Sequence, residues 1–212
     1  MMKIGLFGGT FDPVHIGHLR AAEEIRESFL LDRVYFIPAY IPPHKRKQGI
    51  TGADIRLRMV KSAIRGNPYL RASEIELKRE GVSYSIDTVR AFEKRFKTLY
   101  FIIGIDAFSE IDTWHDYREI FHHTNFIIMI RPSNGKTFIK DIFPEDLKVK
   151  MKKMDNFSFQ HVSGNKIYLH RVTQLDISST GIRENVKNGK TTRYIVPQTV
   201  EKIISEKGLY RV

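Results

Sequence analysis

The 212-residue chain contains no cysteine, which excludes disulfides, thiolate metal centres and a cysteine nucleophile. A reducing compartment fits that absence, and the cytoplasm is the expected location. Long apolar runs are missing too. The stretch 126–130, among the most apolar, is far too short to cross a bilayer. A strand-like segment starts at Lys3, so no signal peptide is expected. Acidic residues are in deficit: 24 Asp and Glu against 35 Lys and Arg leave a formal net charge of +11 and a pI near 9.8. That excess favours anionic partners such as nucleotides, nucleic acids or acidic membranes, or it serves solubility with a few basic ligand groups. The basic residues are dispersed; HKRK at 44–47 and KVKMKK at 148–153 are the dense clusters. The basic–aromatic interleaving of an RNA-binding module is not seen, so neither a specific nucleic acid nor a membrane is an expected partner. There is no internal repeat and no low-complexity tract. Neither G-x-G-x-x-G nor G-x-x-x-x-G-K-[ST] occurs, so the usual dinucleotide fingerprint and a Walker-type phosphate loop are unsupported.

What is present is enough apolar material for a core, 42% of residues, arranged as short apolar runs alternating with amphipathic stretches. Residues 3–7, 34–38, 70–77, 99–105, 125–130 and 167–172 read as strands. Residues 16–30, 53–65, 85–96, 117–122, 179–188 and 198–206 read as helices. In the first helix Leu19, Ala22, Ile25 and Phe29 form the apolar stripe. Ser83 or Ser85 is the expected cap of the third. The rhythm is lost over 133–164, which reads as an inserted loop with a helix near 145–154. The alternation predicts an α/β fold: a Rossmann-like, doubly wound parallel sheet with helices on both faces and a small helical part from about 178. One domain over 1–212, with a variable insertion at about 133–165, is the expected organisation. In such folds ligands bind beyond the carboxyl ends of the strands, where the strand order reverses. Strand-to-helix turns are therefore the places to look for chemistry.

The first such turn is GLFGGTFDPVHIGHLRAAEE, residues 5–24. Gly8 and Gly9 allow close backbone approach and positive φ. His15 and His18 are three apart, hence on one face of the helix start, where backbone N–H groups favour anions. Two imidazoles there can donate to phosphate oxygens and stabilise charge on a departing phosphate.

GGTFDPVHIGH resembles the signature of the nucleotidyltransferase superfamily with the (T/H)-x-G-H motif, an element shared by class I aminoacyl-tRNA synthetases. That superfamily carries a second, late motif of the form S/T-x-x-x-I-R, and this chain has ISSTGIR at 177–183. Further stretches resemble the nicotinate mononucleotide adenylyltransferase family. IPAYIPPHK at 37–45 matches the segment with a phosphate-reaching lysine, here Lys45. SYSIDTV at 83–89 matches the pyridine-nucleotide loop, FIIGIDAF at 101–108 the nucleotide-binding strand end, and TWHDY at 113–117 supplies the aromatic expected by the pyridine ring. RPS at 131–133 stands where the family has R-P-G. The resemblance covers about residues 1–132 and 177–200.

The resemblance implies transfer of an adenylyl group from ATP to nicotinate mononucleotide, with Mg²⁺ arriving on ATP and no dedicated protein metal site. It implies that His15, His18, Lys45 and Arg183 act on the phosphates. Gly8, Gly9, Thr10, Phe11, Gly104, Asp106, Ser179 and Thr180 would hold ATP, and Ser85, Asp87, Thr88 and Trp114 the nicotinate nucleotide. The residues alone leave simpler readings open. Trp114 suits a core anchor, Asp106 a helix cap, Lys45 a solvated patch and Arg183 an exposed salt bridge. Sibling activities on phosphopantetheine or alcohol phosphates share the H-x-G-H element. A tRNA synthetase would need a longer chain and a K-M-S-K-S loop. Self-association is left open.

Overall fold

Alternation of large apolar side chains along the strands decides the architecture. Ile4 and Leu6 of the first strand point to one face and Phe7 to the other; Leu99, Phe101 and Ile103 oppose Ile102, and Phe126 and Ile128 oppose Ile127. Strands buried on both faces need cover on both. In the computed structural model, which describes residues 1–43, 49–130 and 143–211, they have it. Among the described residues the sheet has eight strands in the order β3-β2-β1-β4-β5-β8-β7-β6. The strands are β1 Lys3–Gly9, β2 Arg33–Pro38, β3 Leu70–Ala72, β4 Thr98–Gly104, β5 Asn125–Ile130, β6 Met151–Lys153, β7 Ser158–His161 and β8 Lys166–Arg171. Pairing is parallel from β3 through β8 and antiparallel from β8 to β6.

One face packs on α1 (Ile16–Ser28), α2 (Ala53–Ala63), α8 (Ser179–Lys187) and α9 (Gln198–Glu206) through Ala22, Ile25, Met59, Val60, Ile182 and Val200. The other packs on α4 (Ser85–Glu93), α5 (Ile105–Phe108), α6 (Tyr117–His123) and α7 (Glu145–Lys148) through Ile86, Phe92, Phe108, Phe121 and Leu147. Each large side chain buried this way stabilises by roughly 1.5–3 kcal/mol. The chain leaves β1 towards β2 and β3, then returns to β4 on the other side. The strand order therefore reverses between β1 and β4, and the carboxyl ends of these two strands flank the crevice that this topology creates.

Three expectations need correction. The 70–77 strand stops at Ala72, and α3 (Ile75–Arg79) follows. Ser73 donates its N–H to Phe36 O as the last link to the sheet, and its hydroxyl then accepts from Ile75 N, turning the chain away. The helix expected near 145–154 is one turn long. After an exposed Val149, residues 151–153 pair with Ser158–His161. The turn between them is closed by the Asp155 carboxylate, which accepts from Phe157 N at 2.7 Å and Ser158 Oγ at 2.6 Å. The described part of the 133–164 stretch thus extends the sheet with an antiparallel edge. Finally, α4 has Tyr84 as N-cap with no side-chain cap; the Ser83 hydroxyl instead accepts from Tyr40 N at 2.8 Å.

Candidate active site

β1 runs two residues further than its apolar run, to Gly9, so Gly8 and Gly9 are extended rather than at positive φ. The left-handed residue is Phe11, with φ 51°. Its buried ring lies so close to Gly9 that a Cβ there would sit 2.9 Å from it, which is why Gly9 carries no side chain. Phe11, Phe7 and Phe36 form an aromatic wall, and the His18 ring stands edge-on to Phe11 at 5.1 Å.

His15 is the N-cap of α1, and its backbone N–H donates to His18 Nδ1 at 3.2 Å. Acceptance at Nδ1 places the proton of neutral His18 on Nε2. The two rings stack at 3.6 Å. A Cβ on Gly17 would come within 3.1 Å of the His15 ring, so the glycine between the histidines makes room for that stack. Burial lowers the pKa of His15 to about 4. It pushes His18 well below its ordinary value, and the neighbouring His15 adds to the effect. Both rings are therefore neutral hydrogen-bonding groups at neutral pH. Among the described residues His15 Nδ1 is buried without a hydrogen-bond partner.

The late motif comes to the same loop. Ser178 caps α8 by accepting from Gly181 N at 3.1 Å. Ser179 Oγ donates to Pro13 O at 2.9 Å, and Arg183 Nη1 donates to Asp12 O at 2.7 Å. Arg183 Nη2 reaches Thr180 Oγ1 at 3.2 Å. Two motifs more than 150 residues apart in sequence thus meet on the segment leading into the paired histidines.

Across the strand-order reversal lie Gly104, the N-cap of α5, and Asp106, exposed in its first turn. Asp106 is therefore not the cap. Ser85 and Asp87 are partly buried in the first turn of α4. Trp114 is partly buried, edge-on to Phe101 at 6.0 Å. The two segments are joined by Tyr84 and His115, whose rings lie 4.3 Å apart. The Thr88 side chain is buried, and its hydroxyl donates to Glu76 Oε1 at 2.7 Å. Burial raises the pKa of Glu76, against the bonds from Thr88 and Ser83. Lys45, His44 and residues 131–133 lie outside the described residues. A groove of about 610 Å³ between α2 and α9 shares no residue with either motif.

Sequence reasoning overlooked Asp12, Arg56, Glu76 and Tyr210. Asp12 stood inside the quoted signature, and Arg56 offered a clear signal: it lies on the stripe of α2 shared with Met59 and Val60, a charge at a core position. It is fully buried and donates to four carbonyls: Thr51 at 2.7 Å, Thr10 at 2.8 Å, Ala39 at 2.6 Å and Tyr40 at 3.1 Å.

Comparison with known proteins gives the family and the fold. The cytidylyltransferase-like family model matches residues 6–185. The chain is 41% identical to a protein of Desulfatibacillum aliphaticivorans named "Probable nicotinate-nucleotide adenylyltransferase", over 99% of this chain and 100% of that one. It is 42% identical to a protein of the same name from Trichlorobacter lovleyi, again over 99% and 100%. Its fold is similar to Plasmodium falciparum nicotinic acid mononucleotide adenylyltransferase, with a TM-score of 0.71 at 17% identity over 99% of this chain and 98% of that one. The chain therefore belongs to the nicotinate-nucleotide adenylyltransferase branch of the cytidylyltransferase-like family.

Proposed function

We propose that the chain transfers the adenylyl group of ATP to nicotinate mononucleotide, giving nicotinate adenine dinucleotide and pyrophosphate, a step of NAD biosynthesis. The observation that carries this reading is the junction of the two motifs, the Arg183 guanidinium on Asp12 O, three residues before the histidine pair. A phosphate oxygen of the mononucleotide forms a bond to the α-phosphorus as the bond to the β-phosphate breaks. The attacking oxygen is already anionic, so no general base is needed, and the protein's work is positioning and charge stabilisation.

His18 Nε2–H and His15 donate to the triphosphate and to the charge growing on the leaving group. Neutral rings suit this task because they donate without a solvated charge to strip. Arg183 and Lys45 neutralise phosphate. The Gly8–Phe11 backbone, Ser179 and Thr180 frame the triphosphate, Gly104 and Asp106 the adenosine, and Ser85, Asp87 and Trp114 the pyridine nucleotide. Among the described residues no group of three or more His, Asp or Glu could hold a metal. Mg²⁺ would arrive on the ATP phosphates, where it would offset their charge. No described helix is long and apolar enough to cross a membrane.

The test is pyrophosphate release by the purified chain with ATP, Mg²⁺ and a panel of acceptors: nicotinate mononucleotide, nicotinamide mononucleotide, phosphopantetheine and an alcohol phosphate with CTP. Turnover is expected to be fastest with nicotinate mononucleotide. Turnover confined to another acceptor would overturn the reading.

A further inference from the structure

The last residues of the chain turn back under the catalytic loop. After α9, Gly208 and Tyr210 both take positive φ, 58° and 63°. Leu209 N closes the turn onto Ile204 O at 3.0 Å. A tyrosine in the left-handed region is strained, and such strain persists where the surroundings fix it. Here the ring is packed against the core cluster of α2 and α9. Its hydroxyl donates to Asp12 Oδ1 at 2.6 Å. Burial and this bond hold the phenol far above its ordinary pKa, so it remains a donor.

Asp12 is buried and joins separate parts of the chain. Its second carboxylate oxygen accepts from Thr51 N at 3.1 Å, and its backbone carbonyl accepts from Arg183 at 2.7 Å. The Thr51 carbonyl accepts from Arg56, which also holds Thr10 O. Remove the phenolic hydroxyl, and Asp12 Oδ1 loses the donor that fixes its carboxylate plane. The loop carrying Thr10, Phe11 and the approach to His15 then loses one of its few side-chain anchors.

We infer that Tyr210 is a positioning residue for the adenylyl-transfer reaction: through Asp12 it sets the loop that presents the histidine pair and receives Arg183. Tyr210 touches no substrate in this scheme. The inference rests on the proposed reaction for its kinetic arm only.

The experiment is Tyr210→Phe in the full-length chain, which deletes one oxygen and keeps the ring. Small displacements of reacting groups are costly, so kcat is expected to fall about 10-fold, with KM for both substrates within about twofold. Amide hydrogen exchange is expected to quicken in peptides covering residues 10–18. In an Asp12→Asn background the same substitution should change kcat by less than about twofold, because the bond it removes is already altered. Leu209→Ala is the control: it loosens the tail, lowers Tm and leaves kcat within about twofold. Wild-type kcat and unchanged exchange at 10–18 in Tyr210→Phe would overturn the inference. So would equal kcat losses in Tyr210→Phe and Leu209→Ala, which would reduce the tyrosine to tail packing. A wild-type chain without turnover on nicotinate mononucleotide would sink the proposed reaction, and the exchange result would still decide whether Tyr210 sets the loop.

Discussion

His15 and His18 stack at the carboxyl end of β1, whereas His122 and His161 meet at the opposite end of the sheet, where α6 runs into β5 and β7 ends. The two pairs share much. The rings are 3.6 Å apart in the first and 4.9 Å in the second. Each pair contains a buried ring with one nitrogen that has no partner among the described residues, His15 Nδ1 and His161 Nε2. Burial lowers the pKa of each of these rings to about 4, with the charges of His122 and Lys150 adding to the effect at His161. A buried histidine with a depressed pKa is therefore no mark of catalysis in this molecule. The surroundings separate the pairs. The first opens a helix, stands against an aromatic wall and meets the second motif. The second is locked in a hairpin end, where His161 Nδ1 bonds Ser163 Oγ at 2.9 Å and that hydroxyl donates to Phe121 O at 2.9 Å. Placement beyond the carboxyl ends of parallel strands is the discriminating feature.

The strongest way to break this distinction is a pair of substitutions read by the same assay. His18→Ala is expected to lower kcat by about 10²–10³ with little change in KM, as for loss of one transition-state donor. His161→Ala should leave the kcat of the folded protein within about twofold and act on Tm instead. Pyrophosphate release and thermal unfolding of both variants check this. Comparable kcat losses in the two would erase the contrast between the ends of the sheet.

Acid stability is where the two pairs should behave alike. For His15 and His161 the folded pKa lies near 4, below the unfolded value near 6.5. Between those values the unfolded chain binds more protons, so stability rises with pH there. The contribution is complete above about pH 6.5 and is lost as pH falls towards 4. The full shift corresponds to up to about 3 kcal/mol per ring. Denaturant midpoints measured from pH 7 to pH 4 should fall less steeply for His15→Gln and for His161→Gln than for the wild type. An unaltered slope in either variant would mean that its ring is not held neutral by the fold.

The same contrast explains what could be read from sequence. The His pair, the Gly9–Phe11 turn and ISSTGIR are local patterns, and their meeting follows from the α/β rhythm that puts strand ends together. β5 and α9 were readable to the residue because their apolar spacing is strict. Met151–Lys153 was not: Lys148, Met151, Lys152 and Met154 sort well on a helix, and only pairing with the distant Ser158–His161 segment makes a strand. The burial of the Thr88 side chain escaped the sequence for a related reason. The residue falls within a loop motif, but its partner Glu76 lies on a helix that read as strand. Arg56, Asp12 and Tyr210 act through contacts spanning up to 198 residues, which no local spacing encodes.

The smallest expected effect tests whether the carboxyl end is itself divided between two ligands. Trp114 stands by β4 and α5, linked through Tyr84 and His115 to the start of α4, while the histidines stand by β1 and α1. If the crevice is divided at the strand-order reversal, Trp114→Ala should raise KM for nicotinate mononucleotide roughly 3- to 10-fold and leave KM for ATP unchanged, the magnitude expected for one aromatic contact. Trp114→Phe should recover most of that loss, because a smaller ring keeps a stacking face. Steady-state kinetics with each substrate varied in turn separate the two constants. An effect confined to ATP would put the indole on the adenosine side and exchange the roles assigned to the 83–88 and 104–106 segments. A fall in kcat alone, with both KM values unchanged, would instead make the tryptophan a wall of the core that steadies Phe101.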